Sequence, residues 1–127
     1  MPVRYAIDRL RGRLLTHADG VVTFQEINDH LDSEQRAHDL HRPELIDARG
    51  ATTNVTVDQV HQLVQRTVSL SRIVDLGPTA IVSDDPFTFG MARMYSLLAA
   101  RDGVATEVFL DVASANRWLD STAAQDH

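Results

Sequence analysis

The 127 residues predict an α/β fold: a mixed sheet of about five strands, an antiparallel N-terminal pair followed by parallel βα units, covered by about four helices. Three observations carry this. An alternating apolar/polar segment opens the chain and leads through Arg11-Gly12-Arg13 into a second strand. Two capping boxes, Thr23-Phe24-Gln25-Glu26 and Thr56-Val57-Asp58-Gln59, each precede an apolar stripe at helical spacing. Two short apolar runs, 79–83 and 106–110, are each followed by helical segments.

The elements follow in order. Val3, Tyr5 and Ile7 alternate with Arg4, Ala6 and Asp8, the period of a half-buried strand. Residues 14–17 continue as its antiparallel partner. Arg9, Arg11 and Arg13 would share one solvated face if the alternation ran through the turn. Asp19-Gly20 signals a turn. The first helix carries Phe24, Ile27 and Leu31 and fades before Pro43; Leu45 and Ile46 form a buried strand ending at Asp47. The second helix buries Val60, Leu63, Val64 and Val68. Gly77-Pro78 breaks the chain before the strand at 79–83, and Asp85-Pro86 fits an N-cap with proline at the first helical position. Gly103 stops that helix. After the strand at 106–110, Asp111 caps a last helix in which Trp118 packs in the core, and the tail beyond Ser121 frays. Successive strand–helix–strand units favour parallel pairing.

The length fits one domain spanning 1–127, with a hydrophobic content of 43% that is ordinary for a folded protein. No apolar stretch approaches the roughly 20 residues of a membrane helix, so a cytoplasmic location is expected, with peripheral membrane contact at most. No cysteine is present, which removes disulfides and thiolate chemistry. A net charge of −6 argues against nucleic-acid partners. All twelve basic residues are arginine, a composition that biased codon usage in a GC-rich genome explains.

Two segments are candidate ligand sites. Residues 49–54, Arg49-Gly50-Ala51-Thr52-Thr53-Asn54, form a small polar loop at a strand's C-terminal end, where open α/β sheets place ligands, so Arg49 and Thr52 are candidate contacts to an anionic group. Phe87, Phe89 and Tyr95, with Met91 and Met94, suit an apolar pocket with Arg93 at its mouth; a plain core is the competing reading. Asp84 and Asp85 read as a turn carboxylate and an N-cap. The histidines, including His30 and the pair His38 and His41, match no metal-ligand pattern, and no nucleophile–base pair, phosphate loop or dinucleotide fingerprint is present. No catalytic residue, metal or cofactor is therefore expected.

With Asp47-Ala48-Arg49-Gly50 at the third strand's end, Ala80-Ile81-Val82, Val108-Phe109 and Ala115-x-x-Trp118-Leu119, the chain resembles the SpoIIAA-like family from about Tyr5 to Leu119. That family shares its fold with STAS and CRAL-TRIO-like domains. The resemblance implies a STAS-like fold and a non-enzymatic regulatory or protein-interaction role, with a protein partner. In the family's antagonists a serine at the start of the helix after the third strand is phosphorylated, and the matching position here is Thr56. Where the family pattern reads Asp-Ser-Ser-Gly, this chain reads Val55-Thr56-Val57-Asp58, and Asp58 would repel an added phosphate, so Thr56 is expected to be a helix cap. The alternative function is binding of a small apolar or amphipathic, lipid-like ligand in a pocket beside residues 87–95. A homodimer stays open.

Overall fold

The computed structural model describes residues 3–125. Strands β1 (Val3–Asp8) and β2 (Arg13–Ala18) pair antiparallel, and β2 is followed by a short strand β3 (Gly20–Val22). Helix α1 (Phe24–Arg36) leads to β4 (Glu44–Asp47) and a second short strand, β5 (Ala51–Thr53). Helix α2 (Val57–Ser71), β6 (Thr79–Val82), α3 (Pro86–Ala100), β7 (Thr106–Phe109) and α4 (Val112–Gln125) complete the order. The main sheet runs β1-β2-β4-β6-β7, with every pair after β1-β2 parallel; β3 and β5 form a separate parallel pair. The mixed five-stranded sheet and four helices agree with the fold read from the sequence.

The caps lie where the sequence puts them. Thr23 and Thr56 each accept from the backbone N–H three residues on, and Glu26 and Gln59 reach back to the cap amides. Asp85 accepts from the Thr88 backbone at 2.9 Å with Pro86 at the start of α3, and Asp111 accepts from the Ser114 backbone at 2.7 Å. Each such cap stabilises its helix by about 1 kcal/mol. Gly77 permits a close approach of two loops: a Cβ there would meet the Arg42 carbonyl oxygen at 2.3 Å.

Four details differ from the sequence reading. Residues 9–12 form a turn, closed by Gly12 N–H donating to the Asp8 carbonyl, so the arginine alternation does not persist. Arg13 instead begins β2 and is 5% exposed, donating to Asn116 at 3.1 Å and to Asp120 at 2.5 Å on α4. Gly20 and residues 51–53 belong to the β3–β5 pair rather than to a free turn and loop, because aligned backbone there satisfies its own polar groups. Finally, α4 continues past Ser121 to Gln125.

Strand alternation divides the molecule. Leu15, Leu45, Ala80, Val82 and Phe109 point to one face, where α4 closes on them with Ala115, Trp118 and Leu119. Thr16, Glu44, Ile46, Thr79, Ile81 and Thr106 point to the other, beneath α1, α2 and α3. Arg66 of α2 donates to Asn28 at 2.7 Å and pairs with Asp32, tying α2 to α1.

Candidate functional site

A cavity of about 230 Å³ lies between the sheet and α1–α3. Its wall is mostly apolar: Ile27 and Leu31 from α1, Val60 and Leu63 from α2, Met91 and Ala92 from α3, and Ala18, Ile46 and Ile81 from the sheet. The pairing registers place Glu44, Thr79 and Thr106 side by side at the N-terminal ends of the parallel strands. One level further along lie Ile46, Ile81 and Val108. One end of the sheet's inner face is thus polar and the next level apolar.

The polar end is organised around His30. On α1, Ile27, His30, Leu31 and Glu34 follow the i, i+3, i+4, i+7 spacing of one helical face, so the side chains that line the cavity include two titratable groups. His30 Nε2 lies 2.8 Å from Glu44 Oε2 and 3.1 Å from Glu34 Oε1. Thr16 donates its hydroxyl to Glu44 at 2.5 Å. The three side chains are nearly enclosed, at 10% exposure for His30, 4% for Glu34 and 7% for Glu44. Tyr5 sets its ring edge-on to His30 with centroids 5.4 Å apart and donates its hydroxyl to Asp39 at 3.2 Å.

Burying charge is costly, and the titration of the cluster reflects how the cost is met. Burial disfavours the His30 cation, but hydrogen bonds to Glu34 and Glu44 overcome it and push its pKa up to about 10. Burial raises the Glu34 carboxyl to about 7, only partly offset by His30. Glu44 is held below its ordinary value: burial would raise it, but the His30 contact and the Thr16 hydroxyl outweigh that. Tyr95 also faces the cavity; its hydroxyl donates to Thr67 at 2.8 Å, and burial raises its pKa.

The residues singled out from the sequence are dispersed. Thr52 and Tyr95 line the cavity. Arg49 does not: it is exposed and grips Asp47 with two hydrogen bonds of 2.9 and 2.8 Å, which holds the Asp47 carboxyl below its usual range. Phe87 and Arg93 are exposed, and Phe89 is half-buried, all outside the cavity lining. Thr56 is the exposed N-cap of α2. Asp84 accepts from the Gly50 backbone at 3.3 Å, while Asp85 caps α3. His30 joins neither His38 nor His41, which are both exposed; its partners are two carboxylates.

Thr16, His30, Glu34 and Glu44 were not legible as a group. The i, i+4 pair His30 and Glu34 on the Ile27–Leu31 stripe carried a signal. So did Glu44, which alternates in phase with Ile46 on a strand that had been read from Leu45 onward.

No protein-family model matches the chain, and no similar sequence was found among curated proteins. Among solved structures, an uncharacterised protein of the DUF3478 family from Shewanella loihica PV-4, described as having a SpoIIAA-like fold, is similar at a TM-score of 0.55. The two are 15% identical, and the match covers 92% of this chain and 91% of that one. At that identity the likeness speaks to architecture alone, and it joins the strand order and helix placement in one conclusion: this chain has a SpoIIAA-like fold.

Proposed function

We propose that the chain is a non-catalytic binding module that takes a small, largely apolar ligand bearing one polar group. The observation that carries this reading is the cavity between the sheet and α1–α3. A dry cavity of about 150 Å³ already admits benzene. The volume of about 230 Å³ therefore suits a molecule somewhat larger, with its apolar body against Ile27, Ile46, Ile81 and Met91. The polar group meets the His30–Glu34–Glu44 end. Ligand sites usually combine an apolar wall with a few convergent polar groups. The cavity favours this reading over docking of a protein partner as the primary activity, and a ligand held between sheet and helices is a natural means of regulating such docking.

The test is a native mass spectrum of freshly purified protein, followed by thermal unfolding with medium-chain alcohols and small aromatic acids. A true ligand at a hundredfold excess over its dissociation constant adds about 2.7 kcal/mol of stability. Ala92→Leu, which places a larger side chain in the cavity wall, should remove that gain. A bare mass together with no stabilisation by any probe would contradict the proposal.

A further inference from the structure

Three donor atoms from two rigid elements converge at the polar end of the cavity. His30 and Glu34 stand one turn apart on α1, and Glu44 opens the central strand β4. One ligand atom from each lies within 4.8 Å of the other two. We propose that His30, Glu34 and Glu44 form a binding site for one divalent transition-metal ion of the Zn²⁺ type.

The spacing fits. With bonds of about 2.0–2.2 Å to nitrogen and oxygen, neighbouring donors in a tetrahedral zinc site sit about 3.3 Å apart. His30 Nε2 is 3.1 Å from Glu34 and 2.8 Å from Glu44, so the ligands need only spread slightly around an ion. Such a site has three protein donors and keeps a fourth position free, and all three residues line the cavity, so that position opens toward it. Support around the ligands is present as well. Thr16 fixes the Glu44 carboxylate, and the Tyr5 ring edge fixes the His30 ring plane.

Charge supports the same conclusion. In the metal-free arrangement the two carboxylates are bridged by a histidine N–H, and the group stays anionic when both carboxylates are ionised. A divalent cation on neutral imidazole and two carboxylates brings the cluster to zero net charge. The proton on His30 Nε2, and any on Glu34, leave to solvent as the ion binds. One imidazole and two carboxylates with no thiolate suit Zn²⁺ or Co²⁺. Ca²⁺ is disfavoured because it asks for six to eight oxygens, and Mg²⁺ because it asks for a near-ideal octahedron. This inference concerns the cluster alone and stands whether or not the cavity takes an organic ligand.

The test is calorimetric titration of chelator-treated protein with Zn²⁺. One equivalent should bind, and Glu34→Gln should weaken it at least about tenfold, as even the loss of a supporting residue does at zinc sites. A His38→Ala/His41→Ala double variant, which removes the exposed histidines after α1, should bind as the wild type does. No binding by the folded wild type, or equal binding by folded Glu34→Gln, would overturn the site. If Glu34→Gln fails to fold, Co²⁺ substitution of the wild type decides. A strong visible band of four-coordinate cobalt supports the site, and the weak spectrum of six-coordinate, water-ligated cobalt contradicts it.

Discussion

The two faces of the sheet are built from alternate residues of the same strands and follow opposite rules. On the α4 face, Leu45, Ala80, Val82, Ala115 and Leu119 are each no more than 4% exposed and form an apolar cluster, and the buried Arg13 is held by Asn116 and Asp120 of α4. On the α1–α3 face the same strands present Thr16, Glu44, Thr79 and Thr106, and the helices above leave a cavity. The only residue of α1 that is fully buried is the carboxylate Glu34. One face contributes stability chiefly through close apolar packing, with Arg13 buried against Asp120 of α4; the other gives up contacts and gathers three ionisable groups in one buried cluster. An arrangement that gives up stability in this way is what the proposed binding role requires.

Substitutions on the two faces should therefore fail for different reasons. Leu119→Ala, on the packed face at 1% exposure, is expected to cost about 2–5 kcal/mol in chemical denaturation, the range for a buried leucine. A smaller loss would mean that α4 can collapse into the space. Glu44→Gln keeps the volume but leaves His30 with one carboxylate. Breaking a buried pair costs about 3–5 kcal/mol when a charge is stranded; Glu34 remains as partner, so the lower end or below is expected. Thr16→Val removes one buried hydrogen bond to Glu44 and should cost about 1–3 kcal/mol, with no effect on the α4 face. At the other extreme, Arg49→Ala should have the smallest effect on the unfolding midpoint, since the Arg49 end of its ion pair with Asp47 is exposed.

The cavity face should also respond to pH. The folded pKa of Glu34 lies above its ordinary value, at about 7, so its contribution is greatest in acid and is lost as pH rises to 7. His30 is likewise raised, to about 10, so its contribution is present below 6.5 and fades between 6.5 and 10. Glu44 is lowered and loses its contribution only in acid. Chelator-treated protein should accordingly lose stability as pH rises from neutrality to 10, measured by thermal unfolding, and His30→Gln should flatten that slope. A wild-type slope that survives His30→Gln would place its source elsewhere.

The helix starts on the cavity side and the spacing along α4 were the most legible features. Both capping boxes, Asp85-Pro86 and the Ala115–Leu119 spacing depend on local chemistry, and each element they announce is present. Trp118 is half-buried rather than fully enclosed, resting on Phe109 with ring centroids 5.9 Å apart. The polar cluster beneath those helices was harder to read because its defining contacts are tertiary. His30 and Glu34 are neighbours on a helix, but only the pairing of β4 between β2 and β6 brings Glu44 beneath them. Polar loops at the strands' C-terminal ends, where ligands commonly sit in α/β sheets, drew the reading to Arg49, whereas the polar cluster lies at the N-terminal ends. Arg13 shows the same limit: its burial against Asn116 and Asp120 depends on α4, far along the chain.

Two helical alanines, one on each side of the sheet, test the contrast most directly. Ala115 of α4 is fully buried against the sheet, and Ala92 lines the cavity from α3. Enlarging a close-packed site costs about 1–3 kcal/mol. Ala115→Leu should show that loss in urea denaturation, whereas Ala92→Leu should be neutral or stabilising because the added carbons have space to enter. Equal losses for the two would mean that the inner face is as full as the outer one, and that it has no room for a ligand.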